Sequence, residues 1–297
     1  MFKAWVKASR LPAQTFIFPS LLLGQMLYQT ISGTFSWFIF SLLFFLGLTL
    51  HFYIVYANDY ADYETDQHNM TFTPFTGGSR VLVEGDLGRA SLLQGAIFMA
   101  FATLLLSGFI SIMAGSVWPV VFAIIGLVLL HAYSFYPIRL SYRGFGETLQ
   151  MLGVGVVLPV IAFTAQGGAL SIIPWAIVLV LLPSQLAMAI GTALPDAPSD
   201  IKSQKRTSAV LFGNVNAQRL MLALFAVSFT GLSALLGFNG SVTSLIMYGL
   251  FGLLFTGLTI LTVGMVTVPG SKEMVILTGL SIFTNTLLVL ATALVWL

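Results

Sequence analysis

Asn58-Asp59-x-x-Asp62-x-x-x-Asp66 is the pattern in this chain whose residue types and spacing most directly suggest chemistry. The run His51 to Ala57 before it contains no helix breaker. A helix continued through it would put Asp59, Asp62 and Asp66, at i, i+3 and i+7, on one face with Asn58 at its edge. Three carboxylates on one face repel one another unless a cation lies between them. Oxygen ligands suit hard divalent cations, and magnesium in particular is held by one or two carboxylates together with waters and substrate phosphate oxygens. A second pattern, Asp196-x-x-x-Asp200, is followed by Lys202, Lys205 and Arg206. Pro198 disfavours the helical region for Ala197, so this pair reads as a loop residue followed by a helix start, or as a kinked turn. Carboxylates for a metal beside cations for the remaining oxygens are what a magnesium diphosphate needs.

Two further loops carry candidates. In Thr73 to Leu82, the pair Gly77-Gly78 lets the backbone turn and expose N–H groups, and Arg80 can clamp phosphate oxygens. In Tyr133 to Glu147, Arg139 and Arg143 either reach a diphosphate or anchor at the membrane interface, and Tyr133 and Tyr136 have the composition of an interfacial aromatic belt. His51 and His131 lie within apolar runs and read as hydrogen-bonded residues rather than as bases.

The elements that must position these residues are set by composition. Of 297 residues 58% are hydrophobic and 7% charged, with a mean hydropathy of +0.97, which places the chain in a lipid bilayer. Cysteine is absent, excluding disulfides and thiolate metal sites, and the three histidines are too scattered for a zinc cluster. A net charge of +2 with no basic arm argues against nucleic-acid binding. The N-terminal segment with Lys3, Lys7 and Arg10 resembles the start of a signal peptide, but no small-residue cleavage site follows a short apolar core, so the first span is expected to be retained.

Nine apolar spans are expected, near 14–32, 35–57, 92–114, 117–136, 148–167, 172–194, 217–237, 243–263 and 275–296. The turns on one face, including Phe238 to Thr243, are short and uncharged. Counting through nine spans places every lysine and arginine on the other face, with the N-terminus, and the positive-inside rule makes that face cytoplasmic. The carboxylates lie in or beside the same loops. Loops 58–91 and 195–216 follow the second and sixth spans, so the chain reads as two similar halves meeting at a shared site.

The two aspartate patterns, four spans apart, resemble the first and second motifs of the UbiA superfamily of intramembrane prenyltransferases, and the loop from Tyr133 to Glu147 resembles that family's linker between its fourth and fifth helices. The resemblance covers essentially the whole chain, 1–297, as one domain. It implies an all-α polytopic membrane protein of nine transmembrane helices around a central cavity, with a cytoplasmic N-terminus and active site, in the plasma membrane of a prokaryote. It further implies that Asp59, Asp62, Asp66, Asp196 and Asp200 hold Mg2+ on a polyprenyl diphosphate and that Asn58 supports them. Arg80, Lys205, Arg206, Arg139 and Tyr133 then contact substrate. The partners are that diphosphate, an aromatic acceptor and the lipid bilayer. Lys205-Arg206-Thr207 with Gly213 to Arg219 resembles the 1,4-dihydroxy-2-naphthoate prenyltransferases of menaquinone synthesis more than the 4-hydroxybenzoate enzymes of ubiquinone synthesis. Pro195 and Pro198 depart from both. From a different class, an ion-coupled secondary transporter would place charged groups near mid-span with access from both faces.

Overall fold

The computed structural model describes residues 1–11, 14–237, 242–264 and 267–295. Among these the chain is helical, with one isolated bridge between Thr73 and Thr76 and no strand. A short helix α1 (Phe2–Ala8) precedes α2 (Gln14–Ser32) and α3 (Trp37–Ala61). Ser36 caps α3 by accepting from the Ile39 N–H at 3.3 Å. At 25 residues α3 is about 37 Å long, more than the roughly 30 Å hydrocarbon core, so its last turns project beyond it. Those turns carry Asn58 and Asp59.

After α4 (Tyr63–Gln67) and an irregular loop come α5 (Arg89–Ala114) and α6 (Trp118–Ser134). Gly115, with φ +60°, closes α5, and Pro119 opens α6 where a missing N–H costs nothing. The next span is divided into α7 (Gly146–Leu152), a π-helical turn Gly153–Val157 and α8 (Leu158–Ala165). The wider turn comes just before Pro159, which cannot donate an i→i−4 bond. Then follow α9 (Trp175–Ala193), α10 (Ala197–Lys202), α11 (Ser208–Phe212), α12 (Asn214–Leu236), α13 (Val242–Thr259), a π-turn Ile260–Gly264 and α14 (Lys272–Val295).

Among the described residues, seven helical segments are long and apolar enough to cross a membrane, and Trp118–Ser134 is a shorter apolar helix of 17 residues. The turn expected at Phe238 to Thr243 lies largely outside the described residues, as does the end of the last span at 296. Packing closes the bundle: α3 lies on α5, α5 on α6, α6 on α8, α8 on α2, α2 on α14, α14 on α9 and α9 on α12. Gly24 permits the α2–α8 approach, since a Cβ there would strike the Pro159 carbonyl. One hydrophobic cluster ties α2 to α8, α9 and α12–α14, and a second ties α2 and α8 to α3, α5 and α6. Ile97, Phe98, Phe101 and Leu105 of α5 face outward, as a lipid-facing surface requires.

Candidate functional site

The first acidic segment is helical in two pieces rather than one. The α-helix stops at Asp62 (φ −94°, ψ 9°), whose N–H still donates to the Asn58 carbonyl at 2.8 Å, and α4 restarts at Tyr63. The break tilts the second piece, yet Asp59, Asp62 and Asp66 are 3%, 4% and 8% exposed and remain together. The second segment also differs from expectation in one residue. Ala197 is helical (φ −48°, ψ −41°) despite preceding Pro198, because proline in the first turn of α10 removes an N–H that has no intrahelical partner there. Asp196 therefore ends a 3-10 turn, Leu194–Asp196, and Asp200 sits one helical turn later.

Two segments hold most of the aspartates, the loop from Asn69 to Ser79 and the stretch Lys205 to Thr207, with Arg10 and Tyr142 adding to them. Asp59 accepts from the Ser79 N–H at 3.1 Å and from the Ser79 hydroxyl, with Arg10 Nη1 at 3.4 Å. Asp62 accepts from Lys205 Nζ and from the Tyr142 hydroxyl, both at 2.9 Å. Asp196 accepts from Asn69 Nδ2 at 2.8 Å and from the Gly77 N–H at 3.2 Å. Asp200 accepts from Thr207 Oγ1 at 3.2 Å. The glycine pair does what its position suggested: Gly77 and Gly78 take φ of +80° and +71°, and a Cβ on Gly78 would run into the Asp66 carboxylate. Two segments more than a hundred residues apart are thus joined through the loop containing Asn69 and Gly77.

The charges are strained by their surroundings. Burial, with the neighbouring Asp62 and Asp59 charges, pushes the Asp66 carboxyl up to about 8. Burial works against the Lys205 ammonium, but Asp62 together with Tyr133, Asp200 and Tyr142 outweighs it and holds Lys205 well above its ordinary value. Burial and the Asp62 charge raise the Tyr142 phenol, which keeps its hydroxyl protonated as the donor to Asp62.

These groups roof an open-mouthed cavity. Asn58, Asp62, Asp66, Asp196, Asp200, Lys205 and Tyr133 line it, whereas Phe16, Ile17, Leu50, Ile54 and Leu129 make its deeper walls apolar. Asp59, expected among the metal ligands, and Arg80, Arg139 and Arg206, expected at the substrate, are placed outside that lining, Asp59 being buried behind it. Arg80 (φ +63°) donates to the Asp66 and Asn69 carbonyls at 3.2 Å and covers the Phe72 ring, so it clasps the glycine loop. Arg139 stacks 3.4 Å from the Tyr142 ring centroid, and Arg206 is exposed. Tyr136 is 75% exposed, as an interfacial residue would be, and His51 Nε2 pairs with the Ser9 carbonyl at 2.6 Å.

Several residues that sequence patterns did not single out complete the site. Arg10 lines the cavity from before the first span, and its only sequence signal is a cation beside a membrane edge. Asn69, Ser79, Tyr142 and Thr207 each hold an aspartate. Glu147, also in the lining, accepts from the Ser208 N–H at 2.6 Å and so fastens the first turn of α7 to the start of α11.

Among the described residues no three acidic or histidine side chains converge on one point as a closed metal cage. Carboxylates that face a shared cavity singly or in pairs leave coordination positions for water and phosphate oxygens, the arrangement magnesium takes with phosphorylated substrates. Asp66, raised first by burial and then by the neighbouring Asp62 and Asp59 charges, is a carboxylate whose ionised form a cation in the cavity would stabilise. The residues therefore suit the ion.

Residues 17–267 match the UbiA prenyltransferase family. The chain is 24% identical over 175 residues to 1,4-dihydroxy-2-naphthoate octaprenyltransferase of Bacillus subtilis (strain 168), covering 58% of this chain and 54% of that one, so the match spans about half the relative's length. The apo structure of a UbiA homolog from Aeropyrum pernix K1 has a similar fold, with a TM-score of 0.72 at 14% identity over 93% of this chain and 95% of that one. So does a UbiA homolog from Archaeoglobus fulgidus bound to GPP and Mg2+, with a TM-score of 0.70 at 14% identity over 98% and 99% of the two chains.

Proposed function

The chain belongs to the UbiA prenyltransferase family, and from that premise we propose that it transfers a polyprenyl group from its diphosphate to an aromatic acceptor in a magnesium-dependent reaction. The observation that carries the reading is the meeting of both acidic segments with Lys205 above an apolar cavity. The solved relative that binds GPP and Mg2+ supports the donor and the ion. The 1,4-dihydroxy-2-naphthoate octaprenyltransferase relative favours 1,4-dihydroxy-2-naphthoate as acceptor, hence a place in menaquinone synthesis.

In this reading Asp62, Asp66, Asp196 and Asp200 hold the metal-bound diphosphate, with Asp59 behind them and Asn58 at the edge of the cavity. Magnesium bound there supplies Lewis-acid neutralisation of the leaving diphosphate. Lys205 and Arg10, the two cations lining the cavity, contact phosphate oxygens. Arg80 and Arg139 act from behind, fixing the glycine loop and Tyr142, and Arg206 meets the diphosphate at the mouth. The apolar walls exclude water from the allylic cation as the C–O bond breaks, and the Tyr133 ring faces it with π electrons. The acceptor ring carbon then forms the new bond, and the ring recovers its aromaticity by losing a proton or, on a carboxylated ring such as 1,4-dihydroxy-2-naphthoate, by losing the carboxylate as CO2 to leave the quinol. Helices Gln14–Ser32 and Trp118–Ser134 complete nine spans, with the N-terminus and site on the cytoplasmic side of a prokaryotic plasma membrane, because all lysines and arginines fall on that face.

The test is incubation of the purified protein with Mg2+, prenyl diphosphates and a panel of acceptors including 1,4-dihydroxy-2-naphthoate and 4-hydroxybenzoate, with products identified by mass. A prenylated naphthoquinol is expected. Prenylation of 4-hydroxybenzoate alone would reassign the acceptor, and no transfer to any acceptor would defeat the reading.

A further inference from the structure

Glycine inside a helix is destabilising relative to alanine, so its presence there calls for a reason: a positive φ, a close approach of another atom, or space. Five glycines line the cavity: Gly77, Gly78, Gly126, Gly146 and Gly153. Gly77 and Gly78 have positive φ and no room for a side chain. A Cβ on Gly126 would lie 3.4 Å from Val157 Cγ1, and one on Gly146 would lie 3.3 Å from Ser141 Cα. Gly153 has neither reason. Its backbone is ordinary right-handed helix (φ −60°, ψ −52°), and a Cβ built on it meets nothing within 4 Å.

The position of that open space is informative. Gly153 starts the π-helical turn, a device that recurs at functional sites because it re-aims side chains without ending the helix. Val154 and Val157 of the same turn also line the cavity. Glu147 lies at the level of the polar roof, since it bonds Ser208 beside the Lys205–Thr207 segment. Gly153 is six residues further along, about 9 Å deeper along the helix axis. The cavity lining beside it on this helix is mainly apolar, with Leu149, Val154, Val157 and Leu158 around one polar residue, Gln150.

We propose that Gly153 is a specificity-determining residue: the space beside it holds the isoprenoid tail beyond the units nearest the diphosphate, and side-chain size at this position sets the longest donor accepted. The inference rests on the prenyl-donor reading above. Short donors end before this level and are indifferent to it. Long donors must pass it.

The experiment compares wild type with Gly153→Ala, Gly153→Leu and Gly108→Leu. Gly108, within α5, also has nothing within 4 Å of an added Cβ but lies outside the cavity lining, so it controls for adding bulk to a membrane helix. Each protein is assayed with dimethylallyl, geranyl, geranylgeranyl and octaprenyl diphosphates. Without magnesium, the thermal stabilisation given by the corresponding prenyl alcohols supplies a readout independent of turnover. Gly153→Leu is expected to lower the long-to-short ratio of kcat/KM by on the order of tenfold or more, Gly153→Ala by less, and Gly108→Leu not at all. The alcohol series should follow the same order. An equal change across all donor lengths, the same shift in Gly108→Leu, or failure of Gly153→Ala to fold would overturn the inference. If wild type transfers nothing from any donor, the prenyltransferase reading fails separately. The alcohols then decide Gly153 alone, and an unchanged long-to-short binding ratio in Gly153→Leu overturns it.

Discussion

Replacing Lys205 by methionine keeps most of the side-chain volume and removes one charge from the roof of the cavity. Lys205 and Asp62 are 13% and 5% exposed and 2.9 Å apart, which corresponds to a gross attraction of about 6 kcal/mol at an effective dielectric of about 20. Desolvation offsets part of that, and removing one partner of a buried pair typically costs about 3–5 kcal/mol because the other charge is left behind. Asp62 would retain the Tyr142 hydroxyl but face Asp66 and Asp200 without a cation. The metal-free variant should therefore unfold much more readily than wild type in detergent, measured by thermal melting or by titration with a denaturing detergent. Magnesium should then stabilise the variant more than wild type, since it supplies charge at the same carboxylates. A ligand at about 100 times its dissociation constant adds roughly 2.7 kcal/mol, so recovery should be partial. Equal melting of variant and wild type without metal, or equal stabilisation of both by magnesium, would refute the reasoning.

Other perturbations test the same site from different sides. The Asp66 carboxyl is raised above its unfolded value to about 8, so in the metal-free protein stability is greatest near pH 4 and falls as pH rises toward about 8; magnesium should abolish that fall, read by melting at pH 5 and pH 8, and its binding should release protons measurable by calorimetry in two buffers. Gly78→Ala combines a φ of +71° with a collision at Asp66 and should lower both melting temperature and magnesium affinity, whereas Gly85→Ala, with a similar φ of +75° but open surroundings, should affect stability alone. Tyr142→Phe removes a hydrogen bond to a buried carboxylate, worth about 1.5–3 kcal/mol, and should weaken donor binding while leaving the ring under Arg139; an unchanged KM and melting temperature would count against its role. Asn69→Ala should release the glycine loop from Asp196, seen as faster hydrogen exchange across residues 69–80.

Much of this site was legible because its chemistry is local in sequence. Asp59, Asp62 and Asp66 are close enough that a helix or a broken helix brings them together, so the break at Asp62 altered their tilt and not their company. The second pair was legible in the same way, although proline proved compatible with the first turn of α10. Arg10 was not legible as a site residue, because it is the packing of Ala4, Trp5 and Ala8 of α1 against Tyr53, Tyr56 and Ala57 of α3 that carries the start of the chain back to Asp59. Asn69 and Thr207 are single polar residues in loops, and nothing in their spacing says which carboxylate they will meet. Arg80 and Arg139 show the opposite difficulty: their charge suggested phosphate, but backbone carbonyls and tyrosine rings lie nearer to hand.

The imbalance of charge lining the cavity sets an order of events. Asp62, Asp66, Asp196, Asp200 and Glu147 share the lining with only Arg10 and Lys205, and burial keeps the Asp66 carboxyl protonated up to about pH 8, so on the proposed reading a bare diphosphate meets little net attraction there until its counter-ions are present. On the proposed reading the anion would enter with its counter-ions or find them already in place, and the same would hold for the departing diphosphate. Free pyrophosphate should then be a poor inhibitor of this protein, and pyrophosphate premixed with magnesium a good one.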